Sequence, residues 1–272
     1  MQNYSLNLAK AVGSIWGNRK LIASLARREV MGRYQGSAMG LLWSFFNPVF
    51  MLVVYTFFFS VVFKARWPGG SESKTEFAMI AFAGLIVFNL FVECINRAPT
   101  LILSNVNFVK KVVFPLEVLP VVSVVSSLFH AAISCGVWLV FYLLFFGMPH
   151  PTALLLPLIF IPLVLTVLGI SWILASLGVF LRDVTQVVSV FTGALMFLSP
   201  IFYPVSSMPA DFQYVIQFNP LTPAIESIRN LLIYGKGLAL VSYFVEMTIS
   251  IVVAWLGFAW FQRTRKGFAD VL

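Results

Sequence analysis

The stretch Asn105-Val-Asn-Phe-Val-Lys-Lys-Val-Val-Phe-Pro-Leu-Glu-Val-Leu-Pro120 is a short polar island between two long apolar runs. It carries Lys110 and Lys111 side by side, then Phe114-Pro115, then Glu117 at the foot of the next apolar run. It is too polar to cross a bilayer and too short to be a domain. Phe108, Val109, Val112, Val113 and Phe114 are nonetheless spaced to give a short amphipathic helix with an apolar face. A helix of that kind just outside a membrane either lies on the lipid as a basic surface element or docks into another protein. The rest of the chain decides between the two.

The 272 residues are 60% hydrophobic and only 10% charged, with a mean hydropathy of +0.94, whereas soluble domains carry about 25% charged residues. That composition excludes a soluble fold and predicts an all-α, multi-pass membrane protein, with residues 1–272 forming one transmembrane domain. The +8 net charge suits a protein beside anionic phospholipid, so it is not read as a sign of nucleic-acid binding. Aromatic residues reach 16%, with 28 Phe, an excess that needs a use.

Residues 1–36 are polar and basic, with Glu29 as their one acid, and lack the apolar core of a cleaved signal peptide. Leu21, Ile22, Leu25 and Ala26 fall on one arc of roughly 140° at about 100° per residue, with Arg27 and Arg28 off it. This predicts an amphipathic interfacial helix before the first span, although Glu29 and Arg33 intrude on its apolar side. Six apolar runs follow, at about 38–63, 77–96, 118–146, 153–181, 184–202 and 238–261. Each reaches about the 20 residues that a helix needs to cross the hydrocarbon. The third and fourth are longer and must tilt, kink or project. Placing residues 1–36 inside puts thirteen of the eighteen Lys and Arg on inner segments, which predicts both termini in the cytoplasm. Residues 198–237 then lie outside. Their prolines and apolar spacing predict two short helices, one with Phe212, Val215 and Ile216 and one with Ile225, Ile228, Leu231 and Leu232. These either dip into the outer leaflet as a re-entrant pair or cap the bundle.

Chemistry-bearing residues are few. The chain shows no phosphate-cradling glycine loop ending in Lys-Ser or Lys-Thr, and no Cys/His cluster to hold a metal. Cys94 and Cys135 sit at different depths of their spans and do not pair. His130 reads as a hydrogen-bonding group between helices. Glu93 and Arg97 are spaced i, i+4 and are expected to pair with each other. Glu246, alone and deep in the sixth run, is a functional candidate by position, or else a residue with a partner on another helix.

Five segments carry a family resemblance: Arg33-Tyr-Gln-Gly-Ser-Ala-Met-Gly-Leu-Leu-Trp43 leading into Asn47-Pro48, Phe108 to Pro120, Leu181-Arg-Asp-Val184, Ser199-Pro-Ile-Phe-Tyr-Pro204 and Asn219-Pro-Leu-Thr-Pro223. In this order the chain resembles the membrane subunit of an ABC-2 type exporter of the polysaccharide branch, which moves O-antigen, capsule or teichoic acid. The resemblance implies a non-enzymatic permease of the bacterial inner membrane that works as a homodimer with two copies of an ABC ATPase subunit. ATP and Mg would be bound by that partner, and this chain would hold no cofactor. It also implies that the segment between spans two and three is a coupling helix set in the ATPase: Asn105, Val106, Asn107, Phe108, Val109, Lys110 and Lys111, with Arg182 and Asp183 in the next inner turn. The substrate would be a polysaccharide on a polyprenyl pyrophosphate, and Arg27, Arg28 and Arg33 are candidates to hold that anionic head group. Sugar rings stack on aromatic faces, so Trp43, Tyr55 and Phe59 of span one and Phe197, Phe202 and Tyr203 at the end of span five are candidate channel residues. An ABC-2 exporter of small hydrophobic molecules would share this layout. A membrane-embedded transferase acting on a lipid carrier would need a cluster of acids or histidines, which the chain does not show.

Overall fold

The computed structural model describes residues 8–62, 67, 74–110 and 114–272, all helix and connecting turns. The helices are α1 (Leu8–Gly17), α2 (Arg19–Tyr34), α3 (Leu42–Tyr55), α4 (Lys74–Arg97), α5 (Val106–Lys110), α6 (Val118–Phe146), α7 (Leu156–Phe180), α8 (Val184–Leu198), α9 (Ala210–Gln217), α10 (Thr222–Leu232), α11 (Leu240–Thr264) and α12 (Phe268–Val271). The bundle is built around α4, whose middle is apolar on every side and accordingly buried on every side, Ala78 through Ala83 and Leu85 through Phe88 included. It packs on α3, α6, α7, α8 and α10.

Among the described residues four helical stretches are long and apolar enough to cross a membrane: Thr75–Thr100, Val118–Phe146, Pro151–Phe180 and Leu240–Val271. The first and fifth of the six runs give shorter apolar helices, Leu42–Phe58 and Val184–Leu198. The fifth run therefore stops short of its expected end at 202. Ser199 precedes Pro200, is pushed to an extended conformation with ψ 143°, and the helix cannot continue. The first run starts late, because residues 35–41 form a turn in which Gly36 takes φ +82°. It continues beyond Tyr55 as a π-helical stretch, Thr56–Val62. In α7 the ring of Pro162 removes the donor that would have met the Leu158 carbonyl. The Tyr243 hydroxyl of α11 donates to that carbonyl at 3.2 Å, so the break is satisfied within the protein.

Helices α7 and α11 form the closest pair in the bundle. A Cβ added at Gly257 would lie 2.1 Å from the Gly169 carbonyl oxygen, so only glycine permits the approach. Hydroxyls stitch the same seam, with Thr166 donating to Ser250 at 2.9 Å and Ser176 lying 2.6 Å from Thr264. The predicted arc on α2 is buried at Ile22 and Ala26, and Val30 extends it. It packs along the first half of α6 and runs in the same direction, with Ser14 beside Glu117 and Arg33 beside His130. Of the two short helices, α10 is inserted against α4 and α7 with Ile225, Ile228, Leu231 and Leu232 buried. In α9 only Ile216 is buried, while Phe212 and Val215 are exposed. Cys94 and Cys135 are both free thiols.

Candidate coupling face and translocation path

At one end of the bundle the opening stretch folds back on its own foundations. Asn105 donates from its side-chain amide to the Leu101 carbonyl at 2.8 Å and ends the turn that leads out of α4. Val106, Phe108 and Val109 are half-buried, and Asn107 and Lys110 are exposed. The Phe108 ring stacks on Phe114 at 4.3 Å with an interplanar angle of 10°. Part of the apolar face predicted for a partner is therefore used within the chain. Lys111, Val112 and Val113 lie outside the described residues. Arg182 and Asp183 are exposed in the turn between α7 and α8.

Just beyond, Glu117 is a buried node that the sequence marks only as an acid at the foot of a span. Arg265 donates to Glu117 Oε2 at 2.7 Å and to the Phe114 carbonyl at 2.8 Å. The Ser14 hydroxyl donates to Glu117 Oε1 at 2.9 Å, and Trp172 Nε1 donates to the Glu117 carbonyl at 3.0 Å. One residue thus joins α1, the foot of α6, α7 and the segment after α11. A buried carboxylate is tolerated when its oxygens are both hydrogen-bonded and paired with a cation, as here.

The i, i+4 pairing expected for Glu93 with Arg97 is corrected by the structure. Helix α2 carries its own acid and base four residues apart, Glu29 and Arg33, and runs antiparallel to the end of α4. Each arginine therefore meets the other helix's acid: Arg97 bonds Glu29, and Arg33 bonds Glu93 at 2.6 Å. His130 joins the second pair, with Nδ1 3.1 Å from Glu93 Oε1 and Nε2 3.3 Å from the Tyr34 hydroxyl. Arg33 Nη1 also lies 3.1 Å from His130 Nδ1, so guanidinium, carboxylate and imidazole converge at one point between α2, α4 and α6. This is the interhelical role expected of His130. Burial raises the Glu29 carboxyl above its ordinary range and outweighs the attraction of Arg97. Arg27 and Arg28 are exposed, whereas Arg33, the third arginine named for a head group, is held by Glu93. Arg28 also lines a cavity of about 230 Å³ shared with Glu29, Arg97, Thr100, Asn105 and Phe108, which sets Arg28 beside the α5 element. On α11, Glu246 is half-buried, and among the described residues no cation or side-chain donor reaches its carboxylate.

At the opposite end, four of the candidate channel aromatics lie together. Tyr55 and Phe202 lie with ring centroids 6.1 Å apart, and the Tyr203 hydroxyl donates to the Phe197 carbonyl at 2.9 Å. The Phe197 ring is 68% exposed and free to meet something else. Trp43 is exposed too but sits at the far end of α3, away from this cluster. The side chain of Phe59 lies outside the described residues. Beside the cluster stands an anchor that the sequence reading missed, Arg229. Its side chain is 1% exposed, donates to the Ile201 carbonyl at 2.5 Å and to Glu226 at 3.2 Å, and stands 4.5 Å over the Trp67 ring. The one legible signal was a lone arginine on the apolar side of α10, three residues after an acid. Asn219 fastens the same region by donating to Ser199 Oγ at 2.9 Å.

Helices of membrane-crossing length, with one short helix wedged among them at one end and a small helix at the foot of the other, form a membrane-type bundle. The profile of the ABC-2 type transporter family matches residues 20–233, and the chain belongs to that family. Over 265 residues it is 26% identical to the O-antigen export system permease protein RfbA of Myxococcus xanthus, covering 97% of this chain and 99% of that protein. It is 27% identical over 257 residues to a protein of the same name from Klebsiella pneumoniae, covering 93% of this chain and 95% of the relative. The polysialic acid transport protein KpsM of Escherichia coli is 24% identical over 249 residues, covering 90% of this chain and 93% of that protein.

Proposed function

We propose that this chain is the membrane-spanning subunit of an ATP-driven exporter that moves a polyprenyl-pyrophosphate-linked polysaccharide across the bacterial inner membrane. Two copies form the path and two ABC ATPase subunits, which bind ATP and Mg, drive it. The observation that carries the reading is the likeness to O-antigen export permeases along nearly the full length of both chains. In this reading all six apolar segments are placed across the membrane, with α8, about 22 Å long, the shortest. The α5 end faces the cytoplasm, and the α9–α10 end is the outer gate.

The geometry supports this division of labour. A permease driven by a separate ATPase needs an inner element joined stiffly to its spans, and α5 is joined to α6 through Phe114, Pro115 and the Glu117 node. Arg27 and Arg28 are exposed, with Arg28 near the α5 end, and in this reading they attract an anionic head group from the inner leaflet. Tyr55, Phe197, Phe202 and Tyr203 offer sugar-stacking faces at the outer end.

The test is export by proteoliposomes holding this chain with its ATPase and a lipid-linked glycan. ATP-dependent protection of glycan from an external glycosidase is the expected result. Phe108→Ala with Lys110→Glu is expected to abolish that transport while the chain still accumulates in the membrane. Full transport and normal ATPase retention by this double variant would refute the coupling role. Turnover driven by small hydrophobic drugs in place of glycan would move the chain to the other branch of exporters.

A further inference from the structure

We infer that the segment Arg265–Leu272 is the second half of the surface on which the ATPase seats; this rests on the coupling role proposed above for α5. Helix α11 and its continuation run as one stretch of 32 residues, Leu240–Val271. At 1.5 Å per residue that is about 48 Å, against a hydrocarbon core of about 30 Å, so the stretch is long enough to project from the membrane at one end. The segment after Thr264 does not trail away from the bundle; it is clamped to it. Arg265 is bound to Glu117 and to the Phe114 carbonyl. Phe268 is fully buried, with its ring 5.5 Å from Phe261 and 5.9 Å from Phe180. Lys110 of α5 reaches the Leu272 backbone oxygen.

These bonds leave one side of the segment facing outward. Lys266, Asp270 and Val271 are exposed, and Val271 presents an apolar side chain that is 53% exposed on the same short segment as two charged residues. The segment touches α5 through Lys110 and Leu272. It touches the end of α7 through Phe268 and Phe180, two residues before the exposed Arg182-Asp183 turn. The α5 helix, the α7–α8 turn and this segment therefore form one continuous patch at one end of the bundle. A protein seated on α5 and on that turn meets the segment between them. The occupant is accordingly the ATPase subunit, and not lipid or a second copy of this chain. The Glu117–Arg265 pair is the positioning contact that keeps the two halves of the patch in register.

Photocrosslinking in the intact complex tests this. The photoreactive residue p-benzoylphenylalanine replaces Val271 in the full chain, co-produced with its ATPase, and irradiation is followed by mass analysis of adducts. The same residue at Asn107 on α5 reports the coupling assignment itself, and at Phe218, exposed at the opposite end, it gives the background. ATPase adducts at both Val271 and Asn107, about tenfold or more above Phe218, are expected, since contacts of appreciable energy hold their geometry. An adduct at Asn107 with only background at Val271 would overturn the inference and leave the coupling role standing. Background at both positions in an intact, ATP-hydrolysing complex would overturn both.

Discussion

Replacing Arg229 with alanine is expected to loosen the short helix α10 without unfolding the long helices. The guanidinium is buried beside Ile201, Trp67 and Glu226, and burial draws its pKa down to about 10, so it is still a cation at neutral pH. Truncation leaves the buried Ile201 carbonyl without its 2.5 Å partner, at a cost of about 1–3 kcal/mol. It also removes a cation from 4.5 Å over the Trp67 ring, about 2 kcal/mol in a desolvated site. The bond to Glu226 counts for little, because that carboxylate is 38% exposed. Against these losses, a cation no longer has to be held out of water, which offsets part of the sum. A net weakening of about 3 kcal/mol raises the opening equilibrium of α10 roughly 100-fold. Hydrogen exchange by mass spectrometry in nanodiscs reads this directly, with the amides of Ile225–Leu232 accelerated and those of the α7–α11 seam unchanged. Arg229→Lys keeps the charge but lacks the planar fork that reaches Ile201 and Glu226 while lying over Trp67, and is expected to fall between the two. Exchange of α10 in Arg229→Ala within about threefold of the parent would refute the anchor role, since that corresponds to well under 1 kcal/mol.

Other expectations follow from the same geometry. Gly257→Ala would place a carbon 2.1 Å from the Gly169 oxygen and must part α7 from α11; a loss of about 1–3 kcal/mol, read as a lower melting temperature in detergent, is expected, with Gly193→Ala as the neutral control because nothing lies within 4 Å there. Glu29 has a raised carboxyl pKa in the folded chain, so its contribution is fully present below the ordinary value of 4.5 and is lost as pH rises through the raised one. Glu29→Gln is therefore expected to flatten the fall in stability over that window and to leave stability at neutral pH unchanged or higher; a clear loss in melting temperature at neutral pH would contradict this. Single cysteines at Tyr55 and Phe197 are expected to become protected from a polar thiol reagent when a glycan chain is trapped in transit, whereas one at Val252 on α11 should label equally in both states. Equal labelling at all three positions would reduce the aromatic cluster to ordinary membrane packing.

Much of this architecture is legible from composition and period. Apolar runs of about 20 residues can be little else than membrane helices, because an unpaired backbone has no place in hydrocarbon. The third run, 118–146, coincides with α6 (Val118–Phe146), and the apolar positions read for α10 are the ones that are buried. Local chemistry also placed the helices α5, α9 and α10 and the α2 arc. The misses have two causes, one local and one distant. Ser199 and Pro200 shorten α8 by a local rule that the hydropathy count overlooks. Glu93 and Arg97, correctly spaced to pair, are separated because α2 offers each a partner of its own.

The sequence by itself determined the class of the protein, the number and order of its apolar segments and the residue types available for each task. These depend on solvent transfer and helical period, which are properties of short segments. Only the tertiary structure decided which charges meet: Glu117 with Arg265, separated by 148 residues, and the buried Arg229 with the Ile201 carbonyl. The energy of a buried charge is set by the few groups within about 4 Å of it, and nothing local in a chain specifies which distant groups those will be. The same holds for the sharing of Phe108 between its own chain and any partner, since an apolar face has no direction until something is packed against it.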